Sequence, residues 1–547
     1  MKKEQSGMHL DKILFAVALG LLAHAFIGYF PYPFGDDFAY APLADYRADP
    51  TLFARDDQLR LFANHAKAYD WLYALGTATF GVELVFRIAV WVLAAGVAVA
   101  LYVLLAALGA PLLVLPAALG LGVVVKLDGM GRGDFGGLIS PFFHHHNLAL
   151  ALVLGAISAA CFRKSWLAGI LLGAAVFAQP MTAFHGAMIS GFGALLRHPG
   201  DVVKMAIAAV FVALPAALPI LSSLLATPDT VVSLDIINDA YRFRAPHHYD
   251  PTWHSIGVAA MYLLAGIVGS LQLMRSDASF GRFALGVMIS FALLHMVTVF
   301  IYKMSLSDWV PLFILDANRS TPVLFVIGPA VALAGLLRLP WSLLHWANVC
   351  VLLGIFLLNG TLAGLGFIAL SLLMWRLPQD VRMKSLLAIG LATVLLLTFP
   401  AKPSVPPVPV ETRQALEDIR AVTPRDALFV IPISLSEFRL IAQRSAYVDF
   451  KLFSVAQPEQ AALTRERIDQ IVDPSPENRD AKGWLAAMRW SADQRQAATC
   501  DSMTETLKQT GADYFLRYVA PDETPQDCPQ LARVVQSKTL VLYGPSR

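Results

Sequence analysis

Two adjacent carboxylates, Asp36 and Asp37, stand in the stretch FPYPFGDDFAY, residues 30–40, directly after an apolar run. A carboxylate just beyond a membrane span can accept a proton from a hydroxyl group or ligate a divalent cation. Aspartate also commonly caps the first turn of a helix, which requires no chemistry. The sequence leaves these readings open, and it does not say whether Asp36 or Asp37 would be the reactive residue.

Arginine and histidine side chains later in the chain could hold a phosphate group. The segment RFRAPHHYDPTWH contains Arg244, His247 and His248, whose N–H groups suit phosphate oxygens. The aromatic residues of that segment would equally suit a belt at the lipid headgroups. Arg319 directly precedes a later span on the side where few basic residues are expected, and this placement favours anion binding.

Polar residues also interrupt glycine-rich or apolar stretches. Arg132 lies in GRGDFGG, where the backbone can approach a ligand closely, although a plain flexible loop is the alternative. Gln179, Pro180 and His185 interrupt an apolar stretch. Because polar groups at membrane depth must face protein or a cavity, they favour a broken helix that lines a site, with simple packing as the alternative.

The run HHHN, residues 144–147, looks at first like a metal site. Consecutive helical residues point about 100° apart, so three in a row do not close on one ion. We therefore interpret the run as the polar start of a helix, with one histidine reaching the cavity.

Composition places the chain among polytopic membrane proteins. Of its 547 residues, 56% are hydrophobic and 15% are charged, and the mean hydropathy is +0.58. Apolar segments long enough to cross about 30 Å of hydrocarbon recur along it. We predict about thirteen spans, at 12–30, 84–108, 111–126, 146–162, 165–180, 182–196, 203–223, 256–274, 282–302, 321–338, 341–358, 361–376 and 384–399.

The distribution of Lys and Arg predicts the orientation. If the N-terminus is cytoplasmic, every second loop carries the basic residues, as the positive-inside rule requires. The first span continues apolar to Phe30, which favours an uncleaved anchor over a signal peptide. The first loop, residues 31–83, then lies outside, because one span separates it from the cytoplasmic N-terminus. The polar tail also lies outside, because the number of spans is odd.

Three parts are expected: a transmembrane domain at 1–399, a proline-rich connector at 400–410, and a C-terminal domain at 411–547. Alternating helix and strand patterns in the tail predict a small α/β domain. Cys500 and Cys528 could form a disulfide there if the compartment is oxidising. The fold class is thus mainly α, a polytopic helical domain followed by a small extracytoplasmic α/β domain.

This arrangement resembles the GT-C superfamily of membrane glycosyltransferases. The resemblance covers the whole chain as an architecture, and it is carried by GDDFAYAPLADYRADPTLFARD, SPFFHHHNLALAL, LAGILLGAAVFAQPMTAFHG and NRS. It implies a bacterial inner-membrane enzyme that transfers a sugar from polyprenyl phosphate or diphosphate to an envelope glycan or lipid. The configuration of the anomeric carbon would be inverted in the transfer. The tail lacks the WWDYG-type signature of oligosaccharyltransferases, which argues against that branch.

The resemblance also implies roles for individual residues. Asp36 or Asp37 would be the catalytic base or, in members that need Mg²⁺ or Mn²⁺, a metal ligand. Arg244 and Arg319 suit the lipid phosphate by location only. The stretch RSAYVDFK, residues 444–451, with Arg444, Asp449 and Lys451, could face the membrane cavity or equally be an ordinary strand with polar ends. The expected partners are the lipid-linked donor, the acceptor and membrane lipids, with no nucleic acid.

Two other classes of function compete with this one. A secondary transporter predicts related halves and polar groups at both membrane faces, whereas the ionisable residues here concentrate on one side. A non-catalytic subunit of an envelope polysaccharide assembly complex would keep the fold without the chemistry. The last class differs from the enzyme in that Asp36 and Asp37 would tolerate replacement.

Overall fold

The structure of the chain is a computed structural model. It describes residues 10–62, 67–124, 137–225, 238, 243–244, 256–303, 317–338, 341–359, 361–376, 408–453, 458–471, 488–489, 491, 498–520 and 523–546. Four predicted features lie outside these described residues: Arg132, His247, His248 and the span 384–399.

Helices dominate the first 376 residues. In chain order they are α1 (Leu10–Ile27), α2 (Asp37–Ala48), α3 (Asp57–Leu61), α4 (Lys67–Ala78), α5 (Val82–Ala107), α6 (Leu115–Gly122), α7 (His145–Cys161), α8 (Ser165–Ala178), α9 (Pro180–Arg197), α10 (Pro199–Leu225), α11 (Ile256–Ser276), α12 (Ala278–Lys303), α13 (Thr321–Leu336), α14 (Leu343–Asn359) and α15 (Leu362–Arg376).

The chain is a multi-pass membrane protein. In the part that the structure describes, α1, α5, α10, α11 and α12 are long and apolar enough to cross a membrane. Helices α7, α8, α13, α14 and α15 are apolar but only 14–17 residues long. By this criterion the described residues contain five of the thirteen predicted spans. Segment 111–126, for example, contains a short 3₁₀ turn and the eight-residue α6.

Small residues let the apolar helices approach one another closely. A Cβ atom on Gly169 of α8 would clash with the backbone of Met205 in α10, and one on Gly20 of α1 would clash with Ala94 in α5. Close backbone approach of this kind is typical of helix packing in membranes. The resulting bundle supports the first loop, whose helix α4 packs against α5 and α8.

Helices α2, α3 and α4 lie in the first loop; α2 and α3 pack against the C-terminal domain, whereas α4 packs against α2, α5 and α8. Phe38 is buried in the same apolar cluster as Phe429 of that domain, and Leu43 shares another with Leu452. Burial of such side chains on both sides is worth about 1.5–3 kcal/mol each. The first loop and the tail therefore form one packed unit.

The C-terminal domain alternates helices and strands, as its sequence predicts. Its elements in chain order are α16 (Val410–Val422), β1 (Leu428–Val430), α17 (Phe438–Ala442), β2 (Ser445–Ala446), α18 (Pro458–Ile471), α19 (Cys500–Thr510), β3 (Tyr514–Tyr518), β4 (Leu531–Gln536) and β5 (Leu540–Pro545). The strand order is β2-β1-β3-β5-β4, parallel from β2 to β3 and antiparallel from β3 to β4. Cys500 and Cys528 form a disulfide.

A buried ionic cluster joins the first loop to the C-terminal domain. We call Arg439, Asp56, Gln58 and Asp449 the Arg439 cluster; the Arg439, Asp56 and Asp449 side chains are at most 1% exposed. Arg439 Nε donates to Asp56 Oδ2 at 2.7 Å, its Nη2 donates to Gln58 Oε1 at 2.9 Å, and its Nη1 pairs with Asp449. Buried charges persist only when fully paired, so these contacts fix how the loop and the domain meet.

Candidate functional site

The turn before α2 points the two adjacent carboxylates in different directions. Gly35 has a φ of +58°, a conformation that favours glycine. Asp36 occupies the N-cap position of α2, but its side chain makes no capping hydrogen bond. The capping interpretation is therefore wrong for Asp36, whose carboxylate is directed elsewhere.

Asp36 is held by one residue from the helical domain and one from the C-terminal domain. Its Oδ2 lies 2.5 Å from Nε2 of His144, and its Oδ1 lies 2.5 Å from Nζ of Lys451. We call Asp36, His144 and Lys451 the Asp36 cluster. The side chains of Asp36 and Lys451 are 26% and 16% exposed, so a polar ligand can reach them.

The hydrogen bonds of His144 define its protonation. Nδ1 of His144 accepts the backbone N–H of His146 at 3.1 Å, which caps the start of α7. A nitrogen that accepts a hydrogen bond carries no proton, so the proton of the neutral ring is on Nε2 and is donated to Asp36. His144 therefore orients the carboxylate as a hydrogen-bond donor.

The surroundings of Asp36 keep it ionised. Burial acts to raise its pKa, but the positive charge of Lys451 and the hydrogen bond from His144 outweigh burial and hold the pKa well below the ordinary value of 3.8. An anion tied to a cation in this way is a weak base until the cation moves away.

Asp37 has the opposite character. It is only 3% exposed, and its oxygens accept the N–H of Phe34 at 2.9 Å and the hydroxyl of Tyr69 at 2.8 Å. Burial raises its pKa to about 7, against the effect of both hydrogen bonds. Asp37 thus closes the turn from within and is not aimed at a ligand.

Two of the predicted arginines, Arg244 and Arg319, act electrostatically on Tyr40, close to Asp36. The positive charges of Arg319 and Arg244 lower the pKa of Tyr40, although burial and the charge of Asp36 raise it overall. Tyr40 lies one helical turn after Asp36, and its ring packs edge-on against His145 at 4.6 Å. The structure therefore brings both arginines into electrostatic range of the Asp36 region.

Arg244 lies directly beside the loop that carries Lys451. Its guanidinium carbon is 4.8 Å from the ring centroid of Phe450, and Phe243 packs edge-on against the same ring at 5.5 Å. Arg244 is partly buried, and in the part of the chain that the structure describes its Nε has no acceptor. A planar cation in this position suits a phosphate oxygen.

The remaining predicted residues separate into two groups. As expected, the run HHHN starts a helix and one of its members, His144, reaches the site, while His146 pairs with Thr182 at 2.9 Å. Gln179 separates α8 from α9, which confirms the broken helix, but no described hydrogen bond joins its side chain to Asp36. Arg132, His247 and His248 lie outside the described residues.

Some residues of the site were not found from the sequence. Lys451 was noted only as a residue that could face the cavity, and Tyr69 and Arg439 were not singled out at all. The density of acids and aromatic residues in the first loop was the one signal available. It does not reveal partners that come from a domain far along the chain.

The described side chains do not fit a resident divalent cation. Among the described residues, no three His, Cys, Asp or Glu side chains gather in a way that could hold a metal. The oxygens of Asp36 and Asp37 also face donors of the protein itself. Mg²⁺ or Mn²⁺ at these carboxylates stays a prediction from the resemblance, and a metal there would have to displace Lys451.

Comparison with known proteins gives one family model. A domain of unknown function, DUF6798, matches residues 410–471, which run from the start of α16 to the end of α18. The matched segment contains Arg439, Asp449 and Lys451, three of the residues of the C-terminal domain that contact the first loop. No curated protein sequence matches the chain.

Solved structures with some similarity include the oligosaccharyltransferase of Archaeoglobus fulgidus. Its apo form is 13% identical with a TM-score of 0.41, covering 94% of this chain and 70% of that one. A form tethered to an acceptor peptide is 12% identical with a TM-score of 0.43, covering 92% and 69%. A complex with an inhibitory peptide and a dolichol-phosphate is 13% identical with a TM-score of 0.35, covering 93% and 65%. Similarity at this level establishes neither a common fold nor a common activity.

Proposed function

We propose that this protein is a membrane glycosyltransferase of the GT-C type. It would move a sugar from a polyprenyl phosphate or diphosphate to an envelope glycan or lipid on the outer face of a bacterial inner membrane. The observation that carries the proposal is the Asp36 cluster: an ionised, reachable carboxylate beside Lys451, with Arg244 and Arg319 in electrostatic range. Glycosyl transfer from a lipid phosphate needs a base and cations of this kind.

The reaction would be a single displacement with inversion. An acceptor hydroxyl gives its proton to Asp36, and its oxygen forms a bond to the anomeric carbon from the face opposite the leaving group. The bond from that carbon to the phosphate oxygen breaks, and its electron pair leaves with the lipid phosphate. Arg244 and Arg319, together with His247 and His248, would stabilise the charge on the departing phosphate.

We assign the base role to Asp36 and a positioning role to Asp37. Asp36 is 26% exposed at its side chain, whereas Asp37 is buried and satisfied by Phe34 and Tyr69. A base must come within hydrogen-bond distance of the proton that it removes, and geometry takes precedence over pKa in that choice. Gln179 and Arg132 remain candidates for further contacts to the lipid phosphate.

The proposed location follows from charge and from the cysteines. The Lys and Arg distribution supports a cytoplasmic N-terminus and a periplasmic C-terminal domain. The disulfide between Cys500 and Cys528 agrees with an oxidising compartment.

The test is transfer by the purified full-length protein. Polyprenyl-linked sugars labelled in the sugar, with phosphate and with diphosphate linkages, are supplied together with envelope glycan and lipid acceptors. We expect label to pass from the lipid to an acceptor with an inverted anomeric configuration, and Asp36→Asn to abolish that transfer. Label that stays on both kinds of lipid in the wild-type protein contradicts the proposal.

A non-catalytic assembly subunit is the second candidate. The observation in its favour is that both oxygens of Asp36 already have protein partners, as in a structural ion pair. Under that reading the protein transfers no sugar, and Asp36→Asn supports envelope glycan assembly in cells as well as the wild type does.

A further inference from the structure

We propose that Lys451 is shared between Asp36 and the phosphate of a bound ligand, so that phosphate binding draws the lysine away and frees the carboxylate. The inference rests on the proposed function, and it adds a residue of the C-terminal domain to the phosphate-binding site. It also gives that domain a part in the timing of the reaction.

The contacts of Lys451 suit such an exchange. Its ammonium lies 2.5 Å from Asp36 Oδ1, and both side chains are partly exposed, so the pair is open to a ligand. The backbone around it is fixed, because the N–H of Leu452 donates to Asp449 at 2.7 Å and the N–H of Asp449 donates to Gln58 at 3.0 Å. A flexible four-carbon stem on a fixed backbone can move its charge without moving the loop.

The charges of the site favour an anionic ligand. Lys451 and Arg244 bring two positive charges, and Asp36 brings one negative charge. Burial raises the pKa of Asp37 to about 7, so this carboxyl group is only partly ionised at neutral pH. An excess of positive charge at a reachable site attracts a ligand with one or two negative charges, which is what a phosphate or diphosphate carries.

The exchange would couple ligand binding to the strength of the base. While Lys451 holds Asp36, the carboxylate is a poor acceptor for a proton, and the lysine is one of the causes. When the lysine turns to the phosphate, Asp36 keeps only the hydrogen bond from His144 and becomes a better base. A hydroxyl would then lose its proton only after the leaving group is in place.

Binding of farnesyl phosphate, a short polyprenyl phosphate, to the purified full-length protein tests the inference. We expect Lys451→Met to weaken binding by about 10- to 100-fold, the usual value of one charge-assisted hydrogen bond. Farnesol, which has no phosphate, should bind equally to the wild type and to Lys451→Met. Lys451→Arg should retain most of the affinity, and Lys538→Met, which removes a lysine that is 82% exposed, should bind like the wild type.

A double-mutant comparison separates exchange from a structural role. Asp36→Asn removes the carboxylate that competes with the phosphate for Lys451. In the protein that keeps Lys451, this change should therefore tighten the binding of farnesyl phosphate. The same change in the Lys451→Met background should tighten binding less, because it then relieves only the repulsion between the carboxylate and the phosphate. Equal effects of Asp36→Asn in both backgrounds, or a Kd for Lys451→Met within about twofold of the wild type, overturn the inference.

The outcome is distinct from that of the proposed function. Lys451-dependent binding of farnesyl phosphate without any sugar transfer leaves the inference standing and removes the glycosyltransferase. Sugar transfer with phosphate binding that is independent of Lys451 does the reverse. A wild-type protein that binds neither farnesyl phosphate nor inorganic diphosphate overturns the inference.

Discussion

Two ionic clusters connect the first loop to the C-terminal domain, and they differ in access to water. In the Arg439 cluster the charged side chains are at most 1% exposed. Every oxygen of Asp56 and Asp449 there accepts a hydrogen bond from the protein. In the Asp36 cluster, Asp36 and Lys451 are 26% and 16% exposed, and a flexible lysine supplies the positive charge.

The difference separates a structural role from a chemical one. A sealed and fully paired cluster cannot accept a ligand without leaving a buried charge alone, which is costly. An open pair can exchange one partner for a ligand, because water and the ligand replace the lost contact. The Arg439 cluster therefore holds the first loop against the C-terminal domain, and the Asp36 cluster is where, under the proposed function, a substrate would react.

The largest effect on stability is expected for Arg439→Met. It leaves Asp56 and Asp449 buried without their cation, which should lower the free energy of unfolding by about 3–5 kcal/mol. Chemical denaturation of the purified protein, followed by the signal of the C-terminal domain, measures this change. Lys538→Met is the matched control, because its ion pair with Glu411 is exposed and should contribute at most about 0.5 kcal/mol. Equal stability of the two variants would remove the distinction between the clusters.

Asp37 should behave like the buried groups of the Arg439 cluster and affect stability. Its pKa is raised from 3.8 to about 7 in the folded protein. Between these two pH values the folded protein therefore keeps a proton that the unfolded chain has already lost. Stability should therefore fall as pH rises through that window, by at most about 1.4 kcal/mol per pH unit, and stay level above it. Asp37→Asn should lack this contribution, so that its melting temperature falls less from pH 5 to 7 than that of the wild type. Parallel curves for the two proteins would contradict the assigned environment.

His144→Asn should have the smallest effect, and it should act on activity alone. Asparagine caps a helix well, so α7 should start as before and the melting temperature should stay close to that of the wild type. Its side chain is too short to replace the hydrogen bond to Asp36, and sugar transfer should fall about 10-fold. Unchanged transfer would mean that His144 only caps the helix.

The sequence predicts local elements well in this chain. Alternating helix and strand patterns predict an α/β tail, and the structure has helices and strands alternating there, because each pattern reflects which side of its own segment is buried. The break at Gln179 was predicted from a polar residue followed by proline in an apolar run. The number of spans was predicted less well, because hydropathy does not report where a short helix ends.

The partners in the site could not be predicted in the same way. Arg439 and Asp56 are 383 positions apart, and no local pattern relates them. Asp36 was recognised by its turn and by its place after a span, but Lys451 becomes its partner only because the C-terminal domain packs on the first loop. The roles of Asp36 and Asp37 also depend on which of them is buried. Two neighbouring aspartates in a sequence give no information about that.

The most direct test of the central claim is the initial rate of sugar transfer by Asp36→Asn and Asp37→Asn at equal membrane abundance. If the open carboxylate is the base, Asp36→Asn should lose at least about 100-fold, while Asp37→Asn should keep most of the transfer. The opposite ranking would make Asp37 the base, and equal, undiminished rates in both variants would contradict a catalytic role for this pair.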